Sequence, residues 1–167
     1  AALAGKSLEE VATIVQNFAD NMATLSVAAS GATNPSTGME IAQVAAGCME
    51  VGVGLHGEKG KAQPMKTAEE TAGIMLDALL EDLNVLPEEK LLVLVSGNGA
   101  TSLMEQLIVF RSCYAYLLEK GIEIVASHVG ALMTIQEMAG FEICIARMNE
   151  ELLDYWNAPC CTPYFKK

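Results

Sequence analysis

Positive charge is scarce in this chain. Ten Lys and Arg stand against twenty-one Asp and Glu, a formal net charge of −11. With no basic footprint, binding to a nucleic-acid backbone is excluded as a reading, and so is adhesion to anionic membranes. Aromatic residues are few as well: four Phe, four Tyr and one Trp. A sequence that is still 51% hydrophobic must therefore build its core from aliphatic side chains and Met. No apolar stretch is long and uninterrupted enough to span a bilayer, and no signal peptide opens the chain. The start, "AALAGKSLEE", reads as the interior of a longer protein. At 167 residues, the length suits one domain with a real core.

Cysteine is present but lacks a pattern. Cys48, Cys113, Cys144, Cys160 and Cys161 are odd in number, and no C-x-x-C accompanies them. Three lie in apolar runs, where a thiol acts as a small hydrophobe, so a reduced cytoplasmic protein is expected. Only two histidines occur, His56 and His128, with no carboxylate–His cluster beside either. A metal site thus has no sequence support.

What the chain does have is alternation of helix and strand signals. Ser7 with Glu10, Thr67 with Glu70 and Ser102 with Glu105 each form a capping box ahead of an amphipathic run. The first helix is expected over "SLEEVATIVQNFADNMATL", whose apolar positions run to Met22. The second is expected to reach about Asn84, and the third to run from about Ser102 to Lys120 with Gly121 as its stop. "SVAAS", "CMEVGVGL", "KLLVLVSG", "IEIVASHVG" and "FEICIARM" read as strands, and the continuous apolar run in "KLLVLVSG" predicts cover on both faces. "GATNPSTG" and "HGEKGKAQPMK" read as loops, "TIQEMAG" as a capped helical turn or two, "NEELLDYWNA" as a closing helix and "PCCTPYFKK" as an extended tail. The fold class that follows is an α/β layered sandwich. Its mostly parallel or mixed central sheet should have about five to six strands flanked by helices.

Three features could carry chemistry. Gly97-Asn98-Gly99 joins a strand to a helix, where backbone amides can hold an anion, yet it lacks the P-loop's Lys-Ser/Thr pair. A tight turn is the plainer reading. His128 sits among apolar neighbours and reads as a core or edge histidine. His56 differs: Gly52, Gly54, Gly57 and Gly60 strip bulk from around it, leaving a small ligand room to reach its ring. A fair share of such an imidazole is neutral at cytosolic pH, as nucleophilic or general-base work requires, and Glu58 is close enough in sequence to orient it. An ordinary Gly-His turn remains the alternative.

"MEVGVGLHGEKG" resembles the M-E-x-G-x-G-I-H-G-E-P-G signature of the substrate-binding subunit of dihydroxyacetone (glycerone) kinases. "LVLVSGNGATSLMEQLIVFR" is similar to that family's strand, N-G-L-G-G-T loop and following helix. "HVGALMTIQEMAGFEICIARMNEELLDYWNAP" is similar to its V-G-x-x-x-T-S-L-E-M-x-G-F-S-x-T-L-L segment ending in D-A-P. The match runs over nearly the whole chain and corresponds to the C-terminal half of the subunit. Three departures stand out: Lys59 replaces the proline of G-E-P-G, Asn98-Gly99-Ala100 alters the N-G-L-G-G run, and Ile135-Gln136 alters T-S-L-E-M.

The resemblance implies that His56 adds through its ring nitrogen to the substrate ketone and holds dihydroxyacetone as a hemiaminal. Gly54, Gly57, Glu58, Gly97 and Gly99 would then support the substrate or its loops. It further implies a glycerone kinase activity with no cofactor bound by this chain. ATP or ADP with Mg2+ would sit on a partner kinase subunit or domain. The implied partners are the small ketose, the missing N-terminal half with its general base, the nucleotide-binding subunit and a second copy in a homodimer. Two other readings stay open: a non-catalytic dihydroxyacetone-binding coactivator, and a structural dimerisation domain.

Overall fold

A computed structural model describes residues 1–54 and 58–167. Three helices begin where their capping boxes lie. Ser7, Thr67 and Ser102 each accept a hydrogen bond from the backbone N–H three residues on, and Glu10, Glu70 and Glu105 each accept one from the capping residue's own N–H. They start α1 (Leu8–Asp20), α2 (Ala68–Leu83) and α3 (Leu103–Glu119). A fourth helix, α4 (Glu150–Asn157), is capped by Asn149 alone, whose side chain accepts from Leu152 N–H at 2.8 Å. Asn84, in the left-handed region at φ 52°, ends α2 as expected.

Six strands form the main sheet: β1 (Met22–Ala28), β4 (Cys48–Val51), β5 (Lys61–Pro64), β6 (Lys90–Gly97), β7 (Glu123–Val129) and β8 (Gly140–Arg147). Their order is β5-β4-β1-β8-β6-β7, and two short strands, β2 (Ala32–Thr33) and β3 (Glu40–Ile41), pair apart from it. Of the two sheet types expected, the mixed one is found. Only β6 and β7 run parallel, joined by the α3 crossover; the other four pairings are antiparallel.

Odd-numbered residues of β1, β6 and β8, with Met49 and Val51 of β4, face α2 and α3. Val27, Val93, Val95, Ile143 and Ile145 meet Met75, Leu76, Leu79, Val109 and Leu117 there, and this layer is the main core. On the opposite face, Leu92 and Ala146 pack under Phe18 of α1 and Leu152, Leu153 and Trp156 of α4. Such two-sided cover makes β6 a nearly continuous apolar run.

Several expected boundaries move. The first helix stops at Asp20, because Met22 to Ala28 pair residue by residue with β8, and that ladder outweighs the helical spacing of Met22. The "CMEVGVGL" strand ends at Val51, where Gly52 takes φ 88° and leaves the ladder, while Leu55 lies outside the described residues. Both presumed loops contain strands: β5 lies in "HGEKGKAQPMK" and β2 in "GATNPSTG". "TIQEMAG" is not helical. Gln136 has φ 50°, and Met138 bridges Gly99, so this stretch spends its backbone on a neighbouring loop rather than on itself. The tail is not simply extended either, since Cys161 pairs with Lys166 and Phe165 folds back edge-on to His128 with ring centroids 5.2 Å apart.

Arg147 fastens the far end of the sheet. Its guanidinium donates to Leu83 O at 2.6 Å and Asn84 O at 2.9 Å, to Asn21 Oδ1 at 3.3 Å, and pairs with Glu89 at 3.0 Å. It thus supplies the cation that the last turn of α2 lacks.

Candidate functional site

Where the regular pairing of β4 ends, the chain turns toward the glycine-rich stretch. Gly52 N–H donates to Ser26 O at 2.7 Å, so the departure from the ladder is anchored on β1. Two residues on, Gly54 N–H donates to Glu58 O at 3.0 Å and draws together the two ends of the segment around residue 56. A Cβ at Gly54 would overlap the Glu58 side chain, so this close approach requires glycine. Gly52 is glycine for a different reason: a Cβ there would meet little, and the positive φ is what excludes other residues. His56 and Gly57 lie outside the described residues.

Beside this stretch opens a cavity of about 340 Å3, lined among others by Ile41, Glu50, Val53, Gly54, Glu58 and Met138. That size matches the lower range of small-molecule sites. Its floor is apolar, made by Met138 packed with Ala28 and Ala32 and flanked by Val44, Val53 and Ile135. Its rim carries Glu50, Glu58 and Lys59. The cavity can therefore take a small polar molecule with its carbon skeleton laid on the Met138 side.

Gly97 and Gly99 sit in the β6–α3 turn. A Cβ at Gly97 would overlap the Gln106 amide, and one at Gly99 would overlap Gln136 O. The backbone here is committed inward: Asn98 N–H donates to Gly140 O and Ala100 N–H to Met138 O, each at 3.0 Å. At the helix start, the carboxylate of Glu105 already accepts from Ser102 N–H at 2.8 Å. The Ser102 hydroxyl beside it holds that carboxyl below its usual range, so it stays charged. An ionised acid at this helix start opposes the approach of an anion to its first amides.

Asn98 is the residue that sequence reasoning left unassigned. It is 1% exposed, and its Nδ2 donates to Ser26 Oγ at 3.1 Å and Val27 O at 3.3 Å. Ile135 N–H donates to Asn98 O at 2.6 Å. Thr101 adds a reciprocal pair with Gly140, donating to its carbonyl at 2.6 Å and accepting from its N–H at 2.9 Å. The three stretches that carry the family resemblance are thus bonded into one end of the sheet through β1 and β8. His128 lies elsewhere, on β7 against the tail. Among the described residues, no group of three or more His, Cys, Asp or Glu is placed to hold a metal ion. No helix there is long and apolar enough to cross a membrane.

The Dak1 domain model matches residues 1–164. The "PTS-dependent dihydroxyacetone kinase 2, dihydroxyacetone-binding subunit DhaK" of Listeria innocua is 35% identical over 167 residues, covering 99% of this chain and 50% of that protein. The "L-erythrulose kinase" of Pectobacterium atrosepticum is 33% identical, covering all of this chain and 29% of the relative. The chain therefore spans half or less of the length of these relatives. Among solved structures, the "Dihydroxyacetone kinase operon co-activator Dha-DhaQ" superposes with a TM-score of 0.86 at 25% identity, over 92% of this chain and 48% of that one. The dihydroxyacetone kinase from C. freundii in complex with AMP-PNP and Mg2+ gives 0.73 at 26% identity, over 90% and 28%. A model match over nearly every residue, a relative above 30% identity along the whole chain and the shared fold lead to one conclusion: the chain belongs to the Dak1 domain family.

Proposed function

We propose that this chain provides the ketone-holding wall of a dihydroxyacetone-kinase-type site, with His56 as the covalent anchor of a three- or four-carbon ketose. The observation that carries the reading is the stretch from Gly52 to Gly60. It pairs a histidine with bare glycines, and its ends are drawn together by the Gly54–Glu58 hydrogen bond beside a cavity of ligand size. Family relatives named for dihydroxyacetone and for erythrulose support the substrate class.

In the step envisaged, the lone pair of neutral His56 Nε2 attacks the carbonyl carbon. The carbonyl oxygen takes up a proton as the imidazole loses the one on Nδ1, leaving a neutral hemiaminal. Such a bond selects ketones over polyols with the same hydroxyls, a discrimination larger than one hydrogen bond gives. Phosphoryl transfer would need the remaining part of the subunit and a partner carrying ATP or ADP with Mg2+, in the cytoplasm where such donors are found.

The test uses dihydroxyacetone labelled with 13C at the carbonyl, added to the chain together with the complementary half of a DhaK relative. A new tetrahedral-carbon resonance is expected, and His56→Ala should remove it. No adduct in the completed protein, or an adduct that survives His56→Ala, would refute the reading. A second reading, a ketose-binding co-activator, is favoured by the higher TM-score to the co-activator structure. A kinase assay with Mg-ATP and a donor subunit separates the two, because an adduct without turnover identifies the co-activator.

A further inference from the structure

Among the described residues, Glu50 is the charged group lining the cavity beside residue 56 that a strand of the main sheet carries; Glu58 and Lys59 stand between β4 and β5. In β4 it pairs with Ala28 of β1 on one side and Ala62 of β5 on the other, so both cross-strand neighbours are methyl groups. Met49 packs into the α2–α3 core, and strand alternation puts Glu50 on the opposite face, over the floor of Ala28, Ala32 and Met138. Its half-buried carboxylate makes no hydrogen bond or ion pair among the described residues. An acid set rigidly beside an apolar floor loses hydration without gaining a donor from the fold. The donor that completes it has to arrive with whatever enters the cavity.

Size indicates the donor. Dihydroxyacetone has six non-hydrogen atoms. At the ~30 Å3 that a water molecule takes in the liquid, six such atoms fill no more than ~180 Å3 of the 340 Å3 present. By the same measure erythrulose, with eight, fills no more than ~240 Å3 and still fits. The surplus space is therefore room for a carbon beyond the third, and the group such a carbon brings in a ketose is a hydroxyl. A site built around a substrate hydroxyl rejects the analogue without it, because the acceptor is then left unpaired.

We propose that Glu50 is a specificity-determining residue for ketoses longer than a triose: its carboxylate accepts a hydrogen bond from the terminal hydroxyl of a four-carbon ketose held at residue 56. The inference rests on the ketone-holding reading above and adds which end of the substrate this chain measures. The strand fixes where the acceptor stands, and the apolar floor takes the carbon skeleton between the ketone and that hydroxyl.

Adduct formation tests it, using this chain together with the complementary half of a DhaK relative and ketoses labelled with 13C at the carbonyl. The probes are dihydroxyacetone, erythrulose, and 1,3-dihydroxybutan-2-one, which is erythrulose without its terminal hydroxyl. The unaltered chain should hold erythrulose at least ~10-fold more tightly than the deoxy analogue. Glu50→Ala should bring that ratio below ~3-fold, and Glu50→Gln, which keeps an acceptor without the charge, should leave it in between. Glu123→Gln, an equal charge change at an exposed residue of β7, should keep the full ratio. Circular dichroism establishes that each variant is folded. No adduct with any of the probes would overturn the ketone-holding reading and this proposal together. An adduct with dihydroxyacetone but none with erythrulose, the result if the other half of the subunit fills the cavity, would overturn this proposal alone. So would a ratio below ~3-fold in the unaltered chain, a ratio that survives Glu50→Ala, or an equal loss with Glu123→Gln.

Discussion

Replacing Asn98 separates two kinds of cost. In Asn98→Ala, the N–H bonds to Ser26 Oγ and Val27 O disappear, at about 1 kcal/mol each, and the lost amide leaves a small void worth about 1 kcal/mol. One contribution runs the other way. Asn98 Oδ1 is buried with no hydrogen-bond partner among the described residues, so removing it returns about 1 kcal/mol. The net loss is about 2 kcal/mol, and at ~2–4 °C per kcal/mol for a chain of this size the melting temperature falls by ~4–8 °C.

Asn98→Asp keeps the shape but replaces the donor with an acceptor facing the Val27 carbonyl, in a place with almost no solvent. Its cost is about 4 kcal/mol or more at pH 7. Burial raises the new carboxyl's folded pKa above the unfolded value of about 3.9. The deficit is therefore smallest below pH 4, and grows by about 1.4 kcal/mol per pH unit until the folded pKa is passed. Urea titrations of both variants from pH 4 to 8 measure this. An Asp variant no less stable than the Ala variant at pH 7, or with a deficit that is flat with pH, would refute the account of Asn98 as a buried donor.

Arg147→Met should cost about 2–3 kcal/mol in the same assay, because the carbonyls ending α2 and the Glu89 carboxylate lose a shared cation. Glu142 is half-buried and desolvation raises its pKa, so its charge opposes folding once the pH exceeds the unfolded value. Glu142→Gln should thus raise the melting temperature at pH 7 and leave it unchanged at pH 3, as calorimetry would show. Burial pushes the Cys113 thiol up to about 12, whereas Cys160 and Cys161 are exposed. Iodoacetamide at pH 8 should label those two in the native protein and reach Cys113 only after unfolding, with peptide mass spectrometry as the readout.

Short-range order was the legible part. A capping box is a conversation between residues three apart, so all three helix starts could be read directly from Ser7, Thr67 and Ser102. Helix ends and short strands were less so. Met22 fits a helical stripe until the β8 ladder claims it, and "KAQP" has no alternation to betray β5, which exists because β4 offers a free edge. The candidate site divides in the same way. His56, Gly54 and Glu58 could be picked out because the unusual residues are neighbours in sequence. Asn98 was passed over because its partners lie 71 and 72 residues away. Nor does "TIQEMAG" announce that its backbone belongs to the Gly99 turn.

Strand order sets a timetable for this molecule. Strands β5, β4 and β1 form one block and β6 with β7 another, and in the sheet only β8 lies between them. Each block exposes an open edge and one side of the shared core until residues 140–147 arrive to pair with both. During synthesis, the two blocks can meet only through the α2–α3 layer, and their joining within the sheet comes as one late event with long-range pairings on both sides. A nascent chain halted before Gly140 would leave the facing edges of β1 and β6 unpaired. The strand that completes the sheet is thus also the one that decides when the site at its end can exist at all.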